Sequence, residues 1–271
     1  MRTFWKTTDV PLVSHADWRE RIEKKNRRQG TSAPTLAAAW AGPVEVIGAL
    51  GRLPQLADLV LEQIVVERES HFDAYGGPRN HDLVARGRLA DGDRVVVCIE
   101  AKAGEEFGQT VEQYGRAAQG KRDRDERTKA PERLRELLSK YVPHHDPTDE
   151  RVRLMRYQLL SALAGTEVEA AVAEAAHAVL MVHELRTDQR PEDKTATHLA
   201  DLGRFVTTVF DCELPSMDAM PWCFELPAPA SMTARLYLAW AVTDLRATTL
   251  QPKWTGSSSR ERVRRADVGR G

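Results

Sequence analysis

The sequence is short of cysteine, of long apolar runs and of net charge, and each shortage excludes something. Its three cysteines, Cys98, Cys212 and Cys223, fall in no metal-binding or redox spacing. An odd number suits a reducing compartment better than a disulfide scaffold. No apolar run approaches the roughly 20 residues that a membrane-spanning helix needs, and no secretory leader pattern opens the chain. We therefore expect a cytoplasmic protein with no membrane partner. With 39 Lys and Arg against 40 Asp and Glu, the formal net charge is −1, which excludes a globally basic nucleic-acid footprint. A polyanion would have to meet a local basic patch, or carboxylates neutralised by metal.

What is present describes a folded enzyme-sized chain. Hydrophobic residues make up 42% and charged ones 29% of 271 residues, enough for a substantial core in one large domain or two small ones. No repeat or boundary divides it, and its pattern of helix, hairpin strands, helix, strand and helix predicts one α/β domain over residues 1–250. From residue 251 to 271 the chain turns to Gly, Ser and Arg, with Arg260, Arg262, Arg264, Arg265 and Arg270. We expect a flexible basic tail there, either raising affinity for nucleic acid or merely solubilising.

Along the chain, Ser14 or Asp17 is placed to cap a charged helix from Trp18 to Arg28, and Thr35 to Trp40 reads as a short apolar helix with Trp40 in the core. Between Gln55 and Ser70, Leu56, Leu59, Val60, Gln63, Ile64 and Glu67 fall at helical spacing, which predicts a helix with Glu67 near the end of its apolar stripe. Glu105 to Ala118 is read as a helix with Glu105 at its positive end. Residues 120–148 form a charge-dense helical insertion with a surface helix from Pro131 to Tyr141; Arg151 to Ala176 is one long helix or two. His177 to Leu185 is a buried strand with His183 as a core histidine, a helix follows from Lys194 to Phe210, and Leu236 to Val242 is the last strand.

The chemistry gathers between Asn80 and Gly108, NHDLVARGRLADGDRVVVCIEAKAGEEFG. At period 2, Val95, Val97 and Ile99 face one way and Val96, Cys98, Glu100 and Lys102 the other, so this is an interior strand apolar on both faces until its last residues. HDLVARG reads as its partner, joined through an Asp91-Gly92 hairpin signal. Asp82 therefore comes beside Glu100 and Lys102. Charges ending an apolar ladder are costly unless something binds them. Two hard carboxylate oxygens suit Mg²⁺, or Mn²⁺ in its place. Lys102, between two carboxylates, is expected to stay an ammonium that orients water. Arg79, Asn80 and His81 flank the site, and Arg156 or Gln158 is a candidate to reach it.

The order Asp82, hairpin, Glu100-Ala101-Lys102, with GGPRNHDL before and EAKAGEEFG at its close, resembles the PD-(D/E)XK nuclease superfamily and is similar to a bacterial group within it. His81 stands where that motif often has proline. The resemblance implies a restriction-endonuclease-like core, a small mixed β-sheet flanked by helices. It implies Mg²⁺-dependent hydrolysis of nucleic acid, DNA before RNA, with a homodimer as a common assembly. The metal would be held by Asp82 and Glu100, assisted by a helix-borne acid at Glu67 (or Glu69), and water would be positioned by Lys102. Two rivals stand beside it: a catalytically silent nuclease-fold protein binding nucleic acid or a partner protein, and a metal-dependent hydrolase of a small phosphorylated substrate.

Overall fold

The computed structural model describes residues 1–6, 10–12, 17–18, 20, 32–75, 77–188, 194–216 and 220–246. The expected helix from Trp18 to Arg28 and the basic tail from 251 lie largely or wholly outside the described residues. Seven strands, β1 (Arg2–Trp5), β2 (Val60–Ser70), β3 (Arg79–Arg88), β4 (Arg94–Lys102), β5 (His177–Arg186), β6 (Trp222–Leu226) and β7 (Arg235–Asp244), form one sheet in the order β1-β2-β3-β4-β5-β7-β6. The sheet is mixed: β2, β3 and β4 run as an antiparallel meander, and β5 lies parallel to β4. Helices α1 (Ser32–Ala39) and α2 (Val44–Leu50) precede the meander. The connection from β4 to β5 carries α3 (Val111–Arg122), α4 (Ala130–Tyr141), α5 (Glu150–Leu154) and α6 (Tyr157–Ala173), and α7 (Thr195–Phe210) follows β5.

The alternation in β4 decides the layers. Val96 and Cys98 pack with Leu159, Leu160 and Leu163 of α6 and Leu202, Phe205 and Val206 of α7. Val95, Val97 and Ile99 pack with Leu36, Trp40, Val46 and Leu50 of the N-terminal helices and their connection. Each such large side chain contributes roughly 1.5–3 kcal/mol by burial. Trp40 is fully buried, and its indole N–H donates to His183 Nδ1 at 3.3 Å while Thr243 Oγ1 satisfies Nε2 at 2.8 Å. His183 is a core histidine, as expected. Among the described residues no helix is long and apolar enough to cross a membrane.

Two expectations change, and a third, left open between one helix and two, is resolved. Gln55 to Ser70 is not a helix: after a single 3-10 turn at Pro54–Leu56 it is β2, eleven residues long. Ile64, Val65 and Val66 are all buried, and an interior strand covered on both faces loses the period-2 alternation that would distinguish it from a helix. Glu105 does not open a helix either, because α3 starts only at Val111. Thr110 caps it, accepting from Gln113 N while the Gln113 side chain accepts from Thr110 N. Between Arg151 and Ala176 there are two helices, parted where Val111 N donates to Met155 O (2.8 Å) and Tyr157 N to Gln109 O (3.1 Å).

Candidate active site

The site forms where β3 and β4 part. Their paired residues run from Arg88↔Arg94 to Leu83↔Ile99 and stop. One step further, the Asp82 carboxylate replaces the backbone partner, Oδ2 accepting from Ala101 N at 2.8 Å. On the other edge, β4 stays paired with β5 to Lys102↔Glu184. Glu100 and Lys102 are thus fixed on a rigid strand, while Asp82 reaches across the opening to the same place.

A left-handed step in β2 aims these side chains. Glu67 has φ +51°, an uncommon conformation for a residue with a side chain. It falls between the pairs Val66↔Leu83 and Arg68↔His81, at the rung opposite Asp82. Before it, Ile64 and Val66 face α1 and α2; after it, Arg68 and Ser70 face α6, both bonding Glu169 Oε1 (2.8 and 2.7 Å). The strand has changed faces with no extra residue, since the register with β3 is the same on both sides of Glu67. His81 and Arg79 follow on β3 and also meet α6, at Gly165. A Cβ on Gly165 would overlap the His81 ring and press Arg79 Cγ at 3.3 Å.

Glu100 is 1% exposed and held from three sides. Arg79 forms an ion pair with Oε1. Gln158 Nε2 donates to Oε2 at 2.6 Å, and Lys102 Nζ lies 3.8 Å from the same oxygen. Lys102, 3% exposed, donates to Gln158 Oε1 at 3.2 Å and sits 4.9 Å above the Phe107 ring. Gln158 therefore reaches the site, joining its lysine to its glutamate. Arg156 does not: Asp201, Glu106 and the Gly108 carbonyl take its guanidinium.

The electrostatics correct one expectation and explain another. Burial lowers the Lys102 pKa, and the attraction of Asp82 and Glu105 does not fully restore it, with Arg79 opposing. The ammonium is therefore less favoured than two flanking carboxylates alone would make it. Burial raises the Asp82 pKa against the pull of Lys102, the Ala101 N–H and Arg79. Burial likewise lowers the Arg79 pKa. His81 is fully buried and pushed well below the usual histidine range, first by burial and then by Arg79. It is a packed neutral ring, not a surface contact.

Of the four residues expected in the site, Asp82, Glu100 and Lys102 are brought together. Glu67 is half-buried on β2 rather than carried by a helix, and the third carboxylate whose charge is felt at both Asp82 and Lys102 is Glu105. Glu105 accepts from Ala103 N at 2.9 Å, and its own carbonyl accepts from His198 Nε2 of α7 at 2.8 Å. The signal that could have found it was the capping pair Thr110 and Gln113, which delays the helix and leaves Glu105 in a loop over the end of β4.

A family model described as a domain of unknown function, DUF6946, matches residues 11–245. The chain belongs to that family. No curated protein and no solved structure matches the chain. The matched span of the DUF6946 domain holds the whole meander, α6 and every residue of the site just described.

The donor set can be tested for a metal on its own chemistry. Among the described residues no three His, Cys, Asp or Glu side chains converge as a cage, which disfavours zinc. Mg²⁺ needs only one or two protein carboxylates and keeps its waters. Asp82 and Glu100 meet that need, and Asp82 Oδ1 is engaged by no hydrogen bond among the described residues. The donors fit, with Glu100 shared at present with Arg79.

Proposed function

We propose that this DUF6946 domain is a Mg²⁺-dependent phosphodiesterase of restriction-endonuclease-like fold that hydrolyses nucleic acid, DNA in preference to RNA. The observation that carries the reading is the convergence of Asp82, Glu100 and Lys102 at the parting of β3 and β4, Asp82 bonded to the amide that follows Glu100 and the lysine joined through Gln158 to Glu100. The element order supports it: helices, three antiparallel strands, helices, then a strand parallel to the third.

Asp82 and Glu100 would hold the ion, which when bound polarises the phosphate and acidifies its water. Lys102 Nζ, kept in place by Gln158 and the Phe107 face, orients the attacking water and balances charge at the phosphate. Its burial-lowered pKa eases proton exchange with that water. Glu105, in the loop above, adds negative potential that draws a cation to the site.

The ion pair of Arg79 with Glu100 favours a second reading, in which the domain binds a phosphodiester without cutting it. Incubating linear, circular and single-stranded DNA and RNA with Mg²⁺ or Mn²⁺ separates the two. The first reading expects cleavage by the wild type and a loss of roughly 10²- to 10⁴-fold in Lys102→Ala. Absence of cleavage with retained nucleic-acid binding favours the second. Cleavage undiminished in Lys102→Ala would put the chemistry elsewhere.

A further inference from the structure

Arg79 has a position that metal hydrolysis alone does not require. Its guanidinium occupies Glu100 Oε1, one of the oxygens a metal would use. Its stem lies against Gly165, where α6 has given up a Cβ. The side chain is 14% exposed, so it is prepositioned rather than adrift. Its immediate surroundings hold three carboxylates, Asp82, Glu100 and Glu105, against two cations, Arg79 and Lys102. A divalent ion added to that balance makes the positive charges exceed the negative ones. Arg79 is then the surplus cation, beside the place where a phosphate must come.

We propose that Arg79 is a stand-in cation for the metal: it neutralises Glu100 while no ion is bound, and on metal binding it turns from Glu100 to the phosphate of the substrate. The inference rests on the metal-dependent reading above and adds a residue and an order of events to it. Arginine suits both roles, since its planar fork pairs with carboxylate and with phosphate alike. Two cations competing for one carboxylate are thermodynamically coupled, and the coupling is reciprocal.

The test measures Mn²⁺ affinity by calorimetry and duplex affinity in Ca²⁺ for the wild type, Arg79→Met and Arg79→Lys. Arg79→Met keeps the stem and removes the charge. It should bind Mn²⁺ about tenfold tighter, in the range usual for coupled sites, and bind DNA in Ca²⁺ more weakly. Arg79→Lys should fall between. In the wild type, which needs no substitution to fold, Mn²⁺ should speed phenylglyoxal labelling of Arg79, read by peptide mass spectrometry. Unchanged or weakened Mn²⁺ binding in Arg79→Met, or labelling indifferent to metal, would overturn the inference and leave the metal-dependent reading standing. Failure of wild type and both variants alike to bind Mn²⁺ would overturn both.

Discussion

Helix α6 serves two buried glutamates, and they are built differently. Gln158, Gly165 and Glu169 stand at i, i+7 and i+11, one stripe of the helix. At the far end of the stripe, Glu169 is wholly buried and fully answered: Arg68 Nε and Ser70 Oγ bond one oxygen, Arg86 the other at 2.8 Å. At the near end, Glu100 is equally buried but shares its surroundings with two further acids and a lysine whose pKa burial has lowered. Burial of a charge therefore does not mark the site. What marks it is a crowd of like charges that the protein alone does not balance, the arrangement expected where a ligand completes the set.

That contrast can be broken in measurable ways. Glu169→Ala leaves two guanidiniums facing each other. It should cost about 3 kcal/mol in urea denaturation, the low end for a broken buried pair because Arg68 and Arg86 keep 18% and 20% exposure. If stability is unchanged, the two clusters are not distinct in kind. Gly165→Ala lies between them and should disturb only the Glu100 side. Overpacking against His81 and Arg79 costs about 1–3 kcal/mol, offset by roughly 1 kcal/mol of helix propensity. Cleavage should fall further than the melting temperature suggests.

The smallest effect should be a gain. Asp82 carries a raised pKa because burial disfavours its charge. The folded protein then holds its proton more tightly than the unfolded chain, so stability declines as pH rises from the ordinary aspartate range through the raised value. Asp82→Asn should abolish cleavage yet raise the melting temperature at neutral pH. Its advantage should vanish at pH values below the ordinary aspartate range. A variant equally destabilised at every pH would mean that Asp82 serves as a structural bridge to Ala101 rather than as a ligand held in reserve.

The sequence made part of this legible. The two-faced apolar run of β4, the Asp91-Gly92 hairpin, α4 and the strands β5 and β7 follow directly from periodicity and turn chemistry, and with them the meeting of Asp82, Glu100 and Lys102. Strand β2 reads as a helix because Leu56, Leu59, Val60, Gln63 and Ile64 fall by chance at helical spacing, and its buried centre, Ile64 to Val66, shows no alternation. Strand β6, Trp222–Leu226, hides in a proline-rich stretch and is recognisable only through its pairing with β7. Arg79 and Gln158 could be named only as neighbours of the site, with no sign of which atom each would bind. Arg79 comes to Glu100 from the end of β3 and Gln158 by the packing of α6 on the sheet, across separations of 21 and 58 residues.

The left-handed residue at position 67 amounts to a change of parity in the strand. Odd and even positions exchange sides there, on β2 and on β3 together: Ile64, Val66, Leu83 and Ala85 face the N-terminal helices on one side of the step, and Arg68, Ser70, His81 and Arg79 face α6 on the other. Removing Glu67 would leave the other strands as they are and invert what the outer half of β2 displays. Arg68 and Ser70 would point away from the helix that now receives them, while His81 and Arg79 on β3 would stay. The domain would retain its sheet, and Glu169 would lose two of its three partners while Glu100 kept its own.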